Sequence, residues 1–219
     1  INAKSSLSEN IRYILGSNYL LLLFGISLAI FAVYTTVHYG FNVVSVSYFQ
    51  SAADSEEKIT NFLGLFFAST GIATLIGTFF VLPPLFKWLG TRKIYFCVGA
   101  TYLFIATMLL GVFSTNFVDS SIFASVSDPL FWPLVAIFSG NLVSYLLLDS
   151  VVAPTYQVLV QLIPERNTDG TRMIMEGGFF LLGGLAGAGI TALHAQNVLD
   201  LRDLFILLLF VGIALAVSG

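Results

Sequence analysis

The chain reads as long apolar runs broken by short polar stretches, and within the runs polar and apolar positions do not alternate. Continuous runs favour helices over the strands of a membrane barrel, whose faces would alternate with a period of two. A helix needs roughly 20 apolar residues to cross the hydrocarbon of a bilayer. The candidate segments are 18–48, 60–86, 94–117, 130–163, 173–195 and 204–218. The pattern predicts an all-α membrane domain of six helices over 18–219, after a polar cytoplasmic lead-in at 1–17. A cleavable signal peptide is not expected, because residues 1–18 are polar and the apolar stretch behind them is too long for a signal core. The chain begins at Ile1 and stops at Gly219 inside an apolar run, so the expectation is a segment of a longer polypeptide.

Placing residues at 100° per step sorts the segments into three kinds. In the first, Ser27, Tyr34, His38, Asn42, Ser45 and Tyr48 share about one third of the circumference. In the fourth, Asn141, Tyr145, Asp149 and Tyr156 form a narrower stripe. The second carries Thr70, Thr74 and Thr78 on one line, and the fifth is dense in glycine, from Gly177 and Gly178 through Gly183, Gly184, Gly187 and Gly189. The third and sixth have no stripe. Striped, small-residue and greasy thus occur twice in the same order. Two consecutive three-helix units must be inverted relative to each other across a membrane, as in one half of many secondary transporters. There the first helix of each triplet lines a cavity and the third faces lipid. The threonines and glycines read as helix-packing positions; no strand precedes the glycines and no Lys-Ser/Thr follows, so they are not a phosphate loop.

Charge tests the segment count. Cytoplasmic loops are enriched in Lys and Arg. With six crossings, Lys4, Arg12, Lys87, Arg92, Lys93, Arg166 and Arg172 fall on one side, and Lys58 and Arg202 on the other, which accounts for all nine basic residues. Both ends are then cytoplasmic, and the expected site is the inner membrane of a cell, with an organellar inner membrane fitting the same pattern. The 12-residue stretch 117–128 carries Asp119 and Asp128 without a base and reads as an outer-side segment.

Composition agrees: 57% of residues are hydrophobic and 10% charged, against about 25% charged in soluble domains. A net charge of −3, dispersed along the chain, does not suggest a nucleic-acid partner. The single cysteine, Cys97, excludes an internal disulfide and reads as a packing thiol. No metal-ligand spacing, cofactor motif or nucleophile paired with a base is present, with only His38 and His194 as histidines, so an enzyme is not expected.

An acid near the bilayer centre costs at least about 2.5–3.5 kcal/mol on insertion scales, so it has a task or a partner. Asp149 sits near the middle of the fourth segment, and His38 in the outer half of the first. Because these segments run in opposite directions, both residues are expected at similar depths on one cavity. With Asn42, Asn141, Tyr145 and Tyr156 they are the candidates for proton coupling or for binding a polar substrate. The competing reading is interhelical hydrogen bonding, with a protonated Asp149 held by Tyr145 or Asn141. Glu176 follows Arg172 by one turn and is expected to pair with it. Pro133 and Pro154 in the fourth segment, and Pro83 and Pro84 in the second, predict kinks.

The run Pro84-Leu85-Phe86-Lys87-Trp88-Leu89-Gly90-Thr91-Arg92-Lys93 resembles the cytoplasmic basic loop of the major facilitator superfamily. Lys87 stands where that family carries an aspartate three residues before the glycine, so a gating salt bridge through that acid is not implied. Tyr156-Gln157-Val158-Leu159, Ile163-Pro164-Glu165-Arg166, Arg172, Glu176-Gly177 and Leu182-Gly183 to Gly187 resemble the ATP/ADP translocase-like branch of that superfamily. The resemblance covers essentially the whole chain as a C-terminal six-helix half. It implies a cytoplasmic gating region at Lys87, Arg92, Lys93, Arg166, Arg172 and Glu176. The expected function is then half of a secondary transporter for a small polar or anionic, nucleotide-like solute. Its partners would be membrane lipid and a second six-helix half, in the same polypeptide or a dimer. The alternative is a transporter-like fold serving as an accessory membrane subunit of a larger complex, since no segment interior holds the Lys or Arg that phosphates would favour.

Overall fold

The computed structural model describes residues 6–50, 54–113, 131–163 and 165–218. Among these the chain is helical, with no strand. Helix α1 (Leu7–Leu15) lies in the lead-in. It is followed by α2 (Asn18–Phe49), α3 (Ser55–Gly90), α4 (Lys93–Phe113), α5 (Phe131–Val160), α6 (Glu165–Ala195) and α7 (Leu201–Ser218). Five of them, α2 to α6, are long and apolar enough to cross a membrane. The sixth apolar segment forms α7, 18 residues long. Lys4, the stretch 117–128 and the side chains of Arg92 and Arg166 lie outside the described residues.

Local chemistry sets the ends. The lead-in is not merely polar: Ser6 and Glu9 form a capping box, each side chain holding the other's backbone N–H, and this starts α1. Ser17 accepts from the Leu20 N–H and starts α2. At the other end of the bundle, Glu56 and Glu57 occupy the first turn of α3, where the helix dipole favours anions. α3 ends at Gly90, whose φ of 67° and ψ of 169° are open to glycine alone. The connection expected over 87–93 is therefore contracted, with Lys87 and Trp88 still in the last helical turn.

Two helices widen. α3 passes through a π-turn at Gly77–Val81 and α5 through another at Leu147–Val152. Each precedes proline, Pro83-Pro84 in one case and Pro154 in the other. A proline ring clashes with the carbonyl four residues back and donates no N–H. The wider turn closes instead with bonds from Leu82 to Gly77 and from Ala153 to Leu148. Pro133 is the third described residue of α5, and the carbonyl four residues before it, against which a kink is expected, lies outside the described residues.

The helices pack in two layers. α6, α2, α5 and α3 follow one another in a front row, while α7 and α4 pair behind α2 and α5. Small residues make the close approaches. A Cβ at Gly183 would meet the Leu28 carbonyl at 3.1 Å, and one at Gly187 would meet Thr35 at 2.7 Å, which seats α6 on α2. Gly77 gives the same clearance to Ser150, whose hydroxyl donates to the Thr74 carbonyl at 3.0 Å, so the two π-turns abut. Gly212 of α7 lies against the backbone of Leu103. Exchanging α2 with α5, α3 with α6 and α4 with α7 maps the main pairings onto one another: α2 on α6 becomes α5 on α3, and α2 on α7 becomes α5 on α4.

Candidate functional site

The polar stripes of α2 and α5 meet at the centre of the front row. His38 and Asn141 lie 3.3 Å apart, Nδ1 to Nδ2. With the amide donating, the imidazole carries its proton on Nε2. Asn141 is fully buried, and its Oδ1 has no hydrogen-bond partner among the described residues. One turn away, Tyr34 and Tyr145 meet edge to face with centroids 5.0 Å apart, and Tyr145 also sets its edge against His38 at 5.7 Å. These contacts fix α2 and α5 as antiparallel. They also separate the two ionisable candidates. His38 pairs with Asn141, two turns before Asp149, which puts about 12 Å of helix between the levels of His38 and Asp149. The similar depth expected from the sequence is not found.

Asp149 lies inside the π-turn of α5 and is exposed, within electrostatic reach of Tyr34. Neither Asn141 nor Tyr145 holds it by a hydrogen bond among the described residues. Tyr156 has a different environment. It is 3% exposed, while Asp149, seven residues earlier and inside the widened turn, is exposed. The extra residue of a π-turn advances the helix face by about 100°, so the stripe does not continue through it. Ser27 and Ser45 turn inward and are buried, and Asn42 is half-buried with no side-chain hydrogen bond among the described residues.

At the other end of α5, the Arg172 Nε donates to Glu176 Oε1 at 2.7 Å, and Gln157 Nε2 donates to the same oxygen at 3.2 Å. Glu176 thereby ties α6 to α5. Lys87 and Lys93 flank the Gly90 reversal, both exposed. Thr70 spends its hydroxyl on the Phe67 carbonyl of its own helix.

One feature carries no positional signal in the sequence. Phe180 of α6 meets Phe31 at 5.0 Å, Phe31 meets Tyr34 at 5.8 Å, Tyr34 meets Tyr145, and Tyr145 meets Phe67 of α3 at 6.4 Å. The rings cross the whole front row beside Asp149. Phenylalanine is abundant throughout, 21 residues, so only the packing distinguishes these. No protein-family model, curated protein or solved structure matches the chain.

Proposed function

We propose that the chain is half of a secondary membrane transporter, crossing the bilayer six times as α2 to α7 with both ends cytoplasmic, and moving a small polar solute by alternating access. The observation that carries this reading is Asp149. Among the described residues only Asp149 and Glu176 are charged in the middle third of a spanning helix; Glu176 is paired with Arg172, whereas Asp149 has no salt bridge and stays exposed on the front row, in a π-turn followed by proline. Such an acid is costly against lipid and is stable against water or a partner. The exchange symmetry of the helix pairings supports an inverted repeat with α2 and α5 at its centre, the arrangement that the resemblance to the major facilitator superfamily implies. The distribution of basic residues, seven against two, supports the orientation.

A second reading is favoured by one observation. His38, Asn141, Tyr34 and Tyr145 close on each other, as they would if they served packing alone in an accessory subunit. The mass and neighbours of the native polypeptide in mild detergent separate the two. A single polypeptide or dimer presenting a second front row supports the transporter. Stable recovery in a multi-subunit assembly without one supports the accessory subunit.

A further inference from the structure

We infer that the front row binds a lipophilic organic cation, with Asp149 as the charge partner and the row of rings from Phe180 to Phe67 as the platform. This rests on the transporter reading and names the substrate class of the same face. Three observations carry it.

The first is the sign of the charge. Among the described residues, Lys87, Lys93 and Arg172 lie at helix ends, and no Lys or Arg lies in the middle of α2 to α7. An anion such as a nucleotide phosphate would meet only a carboxylate there. The second is the surface. Phe67 and Phe180 are each about half exposed, at 50% and 52%, and Tyr34 and Tyr145 are partly exposed between them. Faces of aromatic rings attract cations, by about 2 kcal/mol or more where water is excluded. The third is the juxtaposition. Tyr145 precedes Asp149 by one turn on α5, and Tyr34 touches Tyr145 while lying within electrostatic reach of the acid. A delocalised cation could thus lie on the rings while its charge is neutralised by Asp149. A small, strongly hydrated cation would gain little from the phenylalanines.

The test is equilibrium binding of tetraphenylphosphonium, with ATP as the anionic counterpart, to the full-length polypeptide in lipid nanodiscs. The expected result is saturable binding of tetraphenylphosphonium that weakens at least about tenfold in Asp149→Asn and in Tyr145→Leu. Asp149→Glu and Tyr145→Phe, which keep the charge and the ring, should retain it, and so should Asp200→Asn, which removes an acid outside the front row. Retention by the conservative pair shows that the losses are not misfolding. Unchanged binding in Asp149→Asn, or binding of ATP without tetraphenylphosphonium, would overturn the inference. Labelling of a cysteine at position 149 from both sides of the membrane, without cation binding, would overturn the cation alone and leave the transporter reading standing. Labelling from neither side would remove both.

Discussion

Asp149 and His38 look alike in the sequence, as ionisable residues on polar stripes of two antiparallel helices, yet the fold treats them differently. His38 is consumed by a hydrogen bond to Asn141 and by ring contacts with Tyr34 and Tyr145. Asp149, about 12 Å further along, remains available. Helical spacing brought out Asn141 and Tyr145, which meet His38 and Tyr34 of α2, together with Asp149, which lies exposed in the π-turn beyond them. It failed at Tyr156, because a π-turn adds a residue without leaving a mark in periodicity. The prolines that accompany the two π-turns are visible, but proline alone does not say whether a helix will kink or widen. Gly90 is the opposite case: a glycine in a contracted reversal, with a backbone conformation denied to other residues. Gly90→Ala should destabilise the protein by about 1–3 kcal/mol, read as a lower midpoint of thermal unfolding in detergent, whereas Gly64→Ala, with open space around its added Cβ, should be nearly neutral.

Small residues decide how closely the helices approach. Between membrane helices there is little hydrophobic driving force, so van der Waals packing and a few hydrogen bonds, each worth about 0.6 kcal/mol, hold the bundle. The density of glycine in α6 made its packing role readable from the sequence, and Gly183 and Gly187 do face α2. Gly77 and Gly212 have no such density around them, and their role depends on Ser150 and Leu103 in other helices. Gly212→Val should force α7 away from the Leu103 backbone, at a cost of about 1–3 kcal/mol for overpacking. Reduced resistance to denaturation with retained helical content is the outcome expected from circular dichroism; an unchanged midpoint would show that α7 and α4 are not held by that contact. Helix α1 was legible but easily passed over. Its capping box and the apolar positions Leu7, Ile11 and Leu15, spaced four apart, are plain in the sequence, and all three remain exposed. A short helix with such a stripe and Arg12 suits the membrane interface. Ile11→Asp should then raise the protease sensitivity of the lead-in while leaving the midpoint of the bundle nearly unchanged.

For the whole molecule, the apolar segments carried most of the helices: among the described residues they overlap α2 to α7, of which α2 to α6 are long and apolar enough to cross a membrane, with boundaries moved where polar turns extend α3 and α6. What the sequence did not hold was the layering, since which helix faces which depends on contacts far apart in the chain. The two layers leave one face, the front row, where polar and aromatic side chains from four helices lie together and where Asp149 is open. Alternating access requires that this face meet water from each side in turn, whereas an accessory subunit requires that it stay covered. The decisive measurement places a single cysteine at position 149, with the native Cys97 replaced by serine, and labels it with a membrane-impermeant thiol reagent in right-side-out and inverted vesicles. Labelling from both sides is the predicted result. Labelling from neither side, in a protein that remains folded and inserted, would contradict the transporter account and leave Asp149 as a contact to another subunit.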